Sequence, residues 1–137
     1  MPDFPRLRSE LVEGLLRRGY VTRPEVAEAM RKVPREEFVP LSLRGEAYID
    51  TPLPIGSGQT ISAPHMVAIM AEALDLEPGE KVLEIGGGSG YHAAIAAELV
   101  SPGGHVFTVE RIGELAEFAR GNIARTGYAG TVTVVQS

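Results

Sequence analysis

Cysteine is absent from the chain, which excludes disulfides, thiolate zinc sites and cysteine nucleophiles together. Histidine is scarce. His65, His92 and His105 are scattered, with no His-x-x-x-His or His-x-Glu spacing. Each reads as a surface or packing residue, and no metal is expected. No run of Lys or Arg exists to follow a phosphate backbone, and the formal charge of −5 argues against nucleic acid as a partner. The amino terminus, MPDFPRLRSE, lacks an apolar signal-peptide core, and no segment approaches the ~18 apolar residues of a membrane span. The expectation is a cytoplasmic protein with no membrane partner. Internal repeats and low-complexity tails are also missing.

What is present has the balance of a globular domain. The 137 residues are 44% apolar and 23% charged, enough for one hydrophobic core. The first 40 residues read as helical. Ser9 is placed to cap a helix with Leu11, Leu15 and Leu16 on one face. Thr22 and Glu25 have capping-box spacing before a second helix, which carries Val26, Ala29, Met30 and Val33 inward until Pro34 stops it. A short turn follows around Arg35 to Val39. From Pro40 to Ile61 prolines and glycines break the periodicity, predicting a long loop or very short strands.

After Ser62 the pattern becomes regular. Ser62 and Pro64 open a helix whose predicted buried side is Met66, Ile69, Met70, Ala73 and Leu74. Lys81 to Ile85, His105 to Glu110 and Thr131 to Val135 read as strands, separated by helices over Ser89 to Leu99 and Gly113 to Arg125. This alternation predicts an α/β fold with a parallel sheet and right-handed crossovers. Strands apolar on both faces ask for helices on both sides.

The most informative stretch is Glu84-Ile85-Gly86-Gly87-Gly88-Ser89-Gly90. Glycines let a backbone turn sharply out of a strand and lie against a ligand. The helix that follows offers free N–H groups at its positive end. A phosphate-cradling P-loop would need Gly-Lys-Ser or Gly-Lys-Thr, and Ser89-Gly90-Tyr91 does not provide it. A dinucleotide fingerprint would need its third glycine at 91, where Tyr91 stands. That weakens the reading as a nicotinamide-dependent dehydrogenase. What remains is Glu-x-Gly-x-Gly-x-Gly, the pattern of class I methyltransferases that use S-adenosylmethionine. Glu110, at the end of the next strand, is placed to accept both ribose hydroxyls. Glu84 either holds the methionine end of the cofactor or is satisfied by nearby loop N–H groups.

Three further segments are more specific. Gly56-Ser57-Gly58-Gln59-Thr60-Ile61-Ser62-Ala63-Pro64-His65-Met66, Val33 to Pro40, and Thr108-Val109-Glu110-Arg111-Ile112 occur in order around the glycine loop. With Val82 to Ala94, they resemble the protein-L-isoaspartate (D-aspartate) O-methyltransferase family, from its amino terminus through the third strand of its fold. The resemblance implies a Rossmann-like class I methyltransferase with an amino-terminal helical extension. Residues 1–61 would be helices and a substrate-side loop, and 62–137 an incomplete cofactor-binding domain, forming one structural unit. It implies methyl transfer from S-adenosylmethionine, leaving S-adenosylhomocysteine, to the carboxyl of isoaspartyl residues in damaged proteins or peptides. Ser62 would orient the attacking oxygen, while Thr60, Ile61 and His65 shape its pocket. Glu84, Gly86, Gly88, Ser89, Gly90, Tyr91, Glu110 and Arg111 would hold the cofactor. Gly87 stands where the family often has Thr or another small residue.

The chain departs from the family pattern after Gln136-Ser137, where an Asp-Gly pair and four further strands usually follow. The first strand is then expected to carry an open edge with poorly covered apolar faces. Such an edge invites pairing, so the expectation is an inactive fragment of a longer enzyme, a homodimer through the sheet edge or a marginally stable monomer. Two other readings stay open: a related aspartyl or peptide carboxyl methyltransferase, and a non-catalytic S-adenosylmethionine-binding protein.

Overall fold

The computed structural model describes residues 2–137. Two helices open it, α1 (Phe4–Arg17) and α2 (Pro24–Lys32). Helix α1 begins well before Ser9. Asp3 is its cap, the carboxylate accepting the Arg6 N–H at 3.2 Å, with a proline in the first turn. The capping box expected at α2 does not form. Arg23 is the cap residue without a side-chain bond, because Thr22 donates both its hydroxyl and its N–H to Glu72 instead. Pro34 ends α2 as expected, and Val33 is buried.

Two 3₁₀ turns follow, Arg35–Phe38 and Leu41–Glu46. The Pro- and Gly-rich stretch then folds into an antiparallel hairpin of β1 (Leu53–Gly56) and β2 (Gln59–Ile61). Ser57 and Gly58 both have positive φ, at 54° and 72°. Two consecutive left-handed residues suit the right-handed twist of a tight hairpin.

Helix α3 (Pro64–Leu74) is capped by Ala63, with no side-chain bond from Ser62. Its buried face is not the predicted one. Val67, Ala68 and Ala71 point inward, while Met66, Ile69, Met70 and Leu74 are 40–49% exposed. The helix is apolar around most of its circumference, so periodicity alone chose the larger residues. Close packing on α2 and α4 selects the smaller ones.

The sheet contains β3 (Lys81–Ile85), β4 (His105–Glu110) and β5 (Val132–Gln136), parallel and adjacent in that order. Helices α4 (Tyr91–Val100) and α5 (Gly113–Thr126) make the crossovers. Both crossovers step in the same direction across the sheet, so right-handedness puts both helices on one face. Val106, Thr108 and Val132 are buried beneath them. The opposite face holds Leu83 and Ile85 at 67% and 75% exposure, with Phe107 and Val135 also exposed. Helices therefore cover one side only, and the expectation of two covered faces is corrected. Among the described residues no strand pairs with the outer edge of β3. A continuous apolar cluster nevertheless joins Val12 and Leu15 of α1 to Met30, Phe38, Ile95 and Val132.

Candidate active site

The carboxyl ends of β3 and β4 open onto the glycine loop, where a Rossmann-like sheet places its ligand. Gly86, Gly88 and Gly90 adopt φ of 84°, 57° and 89°, left-handed conformations that favour glycine. Gly90 also permits close packing, since a Cβ there would lie 3.3 Å from Ile123 of α5. The Gly86 and Gly87 N–H groups both donate to the Val109 carbonyl, at 2.8 and 3.0 Å. Asn122 of α5 donates to the Ser89 carbonyl at 2.9 Å, and Tyr91 N–H donates to Ser89 Oγ at 3.3 Å. The loop is thus fixed by bonds from β4 and α5.

Glu110 is buried at the tip of β4. Its Oε1 accepts the Gly88 N–H at 3.0 Å and its Oε2 the Ile112 N–H at 2.8 Å. Two bonds leave acceptor capacity on both oxygens. Gln59, Thr60, Gly86, Gly88, Glu110 and Arg111 line one cavity here, of about 380 Å³.

A second cavity, of about 190 Å³, adjoins it across the loop and is lined by Thr60, Ile61, Ser62, Glu84, Ser89 and Tyr91. Thr60, Gly86 and Gly88 border both hollows, so the β1–β2 hairpin and the glycine loop form a shared partition. Ser62 is exposed and carries no capping bond. His65 lines neither hollow. Its Nδ1 lies 3.0 Å from Asp50 Oδ1, which also accepts the His65 N–H at 2.9 Å, and its ring packs beside Tyr20.

Glu84 accepts the Thr108 hydroxyl at 2.6 Å. Burial pushes its carboxyl up to about 7, opposed by the Thr108 bond and aided by the Glu110 charge. Burial also lowers the pKa of His92. Beneath the loop, Tyr91 is buried against Arg35, whose guanidinium carbon sits 5.0 Å from the ring centroid. Arg35 is itself fully buried, and its Nε donates to the Ala47 carbonyl at 2.8 Å.

Thr108, Arg35, Asn122, Asp50 and the placement of His92 were not singled out by sequence pattern. One signal was available for Thr108. Parallel register pairs it with Glu84, but that register follows only once strand order is known.

The model of the protein-L-isoaspartate(D-aspartate) O-methyltransferase family matches residues 6–137. The chain belongs to this family. A protein-L-isoaspartate O-methyltransferase of Methanopyrus kandleri is 65% identical over 132 residues, covering 96% of this chain and 58% of the relative. One from Hyperthermus butylicus is 61% identical over 139 residues, again with 96% and 58% coverage. A crystal structure from Plasmodium falciparum, described as a protein-L-isoaspartate O-methyltransferase in complex with S-adenosyl-L-homocysteine, superposes with a TM-score of 0.85. That pair is 31% identical, covering 95% of this chain and 62% of the other. The parallel sheet and its loop therefore belong to the Rossmann-like fold of class I methyltransferases, with the helical extension ahead of it. The chain spans 58% of the length of these two curated relatives. Among the described residues no group of three or more metal-ligating side chains gathers, and no helix is long and apolar enough to cross a membrane.

Proposed function

We propose that the chain forms the cofactor-binding half, and one wall of the substrate pocket, of a protein-L-isoaspartate O-methyltransferase. The supporting observation is that Ser62 of the hairpin segment and Glu84 of the glycine-loop strand border one cavity, while Glu110 borders the hollow beside it. The pair of hollows fits S-adenosylmethionine. Left-handed glycines keep their part of the partition free of side chains, and Glu110 retains acceptor positions for ribose hydroxyls beside its two backbone bonds. Glu84 faces the other hollow, suited to the cofactor's ammonium, and Arg111 borders the ribose side. The cofactor, when bound, supplies an activated methyl on a sulfonium.

The chain's own residues then have modest tasks. An isoaspartyl carboxylate is ionised at neutral pH and needs no strong base. Ser62 orients that carboxylate with its hydroxyl, while Thr60 and Ile61 wall the approach. Alignment of this kind supplies about 7–11 kcal/mol in favourable cases. Ser89 and Tyr91 fix the loop through the bonds and packing described above. His65 acts at one remove, holding the first turn of α3 to Asp50.

The expected partners are isoaspartyl proteins or peptides in a cytoplasmic setting. The open β3 edge supports a further strand there, contributed by additional polypeptide of the same protein or by a second copy of the chain. The uncovered sheet face equally favours a second reading, a chain that binds cofactor without transferring methyl. Equilibrium binding of labelled S-adenosylmethionine, followed by transfer to an isoaspartyl peptide, tests both. Glu110→Ala is expected to weaken binding about 10- to 100-fold, the value of hydrogen bonds to a charged group. Unchanged affinity in that variant would contradict the placement of the ribose, and binding without transfer would favour the second reading.

A further inference from the structure

Glu84 and His92 form an unfinished polar arrangement. The Glu84 Oε1 is bonded to Thr108, while Oε2, on a side chain that stays 21% exposed, lies 4.0 Å from His92 Nδ1. That separation is too long for a hydrogen bond. On the other side of the ring, His92 Nε2 is buried and has no partner among the described residues. A buried ring nitrogen left in this state is costly and uncommon. Both residues stand in the wall between the 190 Å³ cavity and a groove of about 220 Å³ along the β3 edge.

Among the described residues no Lys or Arg pairs with Glu84. Glu110 from β4 and His92 from α4 are the titratable groups that face Glu84. Helix α3 brings Met70 to both hollows, and the hairpin segment brings Thr60 and Ser62, all uncharged.

We propose that Glu84 is held as a carboxylic acid beside a neutral His92, and that an ammonium-bearing ligand in the cavity displaces its proton to solvent. The inference rests on the cofactor reading above, because the ammonium is that of the cofactor's amino-acid end. The exchange balances. The Glu84 O–H bond breaks, the proton goes to water, and the carboxylate gains the ligand ammonium as its countercharge. His92 is a positioning residue, its Nδ1 closing on the carboxylate once that charge exists. The near-neutral titration that burial gives Glu84 agrees with this.

Two measurements on the full chain test it. Calorimetric titration with S-adenosylhomocysteine, which carries the same ammonium, is run in buffers of different ionisation heat. For a carboxyl titrating near 7, release of roughly half a proton is expected at pH 7, nearly one at pH 6 and almost none at pH 8. Affinity should fall about tenfold from pH 8 to pH 6. Carboxyl-carbon NMR of the free protein then follows Glu84 itself. Its midpoint should lie near neutrality, rise in His92→Leu and return towards wild type in His92→Gln, which keeps a donor.

A midpoint in the ordinary carboxylate range, or one indifferent to His92→Leu, would overturn the pair. Tight binding with no proton release overturns the exchange alone. Absence of binding at every pH would overturn the exchange and the cofactor reading together.

Discussion

At position 87 the site depends on the absence of a single methyl group. A Cβ there would lie 2.1 Å from Thr108 Oγ1, the hydroxyl that bonds Glu84. A threonine at this place would collide with Thr108 for the same reason. Gly87 and Thr108 thus read as a matched pair. Gly87→Ala should cost about 1–3 kcal/mol, the usual range for overpacking, measured by urea unfolding. Adding Thr108→Ala should recover most of it, since the two sites share one contact. A neutral single variant would contradict the pairing.

Glu84 sets a pH dependence whose sign is fixed. Its carboxyl titrates near 7 in the fold against an ordinary 4.5, so folding takes up a proton. The associated stability is fully present below about pH 4.5 and is lost as pH rises through 7. Glu84→Gln should therefore be more stable than wild type at pH 8, by up to about 3 kcal/mol, and nearly equal at pH 4. Denaturant midpoints at the two pH values check it; equal differences at both would contradict it. The glycine loop and Glu110 were legible at this scale because each shows as a residue type at a fixed spacing. Thr108 and His92 were not, because their roles arise from register and from what is buried around them.

Among the elements, the strands were the most readable. The bounds of β3 and β4 agree with the sequence reading because short apolar runs between Pro-Gly turns leave few alternatives. Helix α3 was misread in orientation because apolar residues surround it, and only packing against α2 and α4 decides which face turns inward. The capping prediction at Ser9 failed because the helix starts earlier, capped by Asp3, and that at Thr22 failed because Glu72 takes its hydroxyl and N–H. The start of α3 separates two roles for Ser62. Ala63, not Ser62, is the cap residue, so Ser62→Ala should leave stability within about 0.5 kcal/mol, as for an ordinary surface change. Methyl transfer to an isoaspartyl peptide should nevertheless fall at least tenfold. A large loss of stability with proportionate loss of activity would return Ser62 to a structural part.

For the whole molecule, the decisive feature is a sheet covered by helices on one face, with no described strand beyond β3 or β5. Leu83 and Ile85 expose most of their surface on β3, next to an edge that no described strand occupies. Exposed apolar patches on strand edges promote association. Sedimentation of the chain should show concentration-dependent self-association, reduced in Ile85→Lys without loss of folded helix signal. A wild-type chain that remains monomeric at all concentrations would contradict this. The open edge was anticipated from the family topology; the single covered face follows from two crossovers running the same way.

We propose that the hairpin and glycine loop together carry the methyl-transfer site of an isoaspartyl methyltransferase. The most direct measurement is transfer of labelled methyl from S-adenosylmethionine to an isoaspartyl peptide, beside the same peptide containing normal aspartate. Selective labelling of the isoaspartyl peptide is the predicted result. Labelling of both peptides equally, or of neither while the cofactor binds, would contradict it.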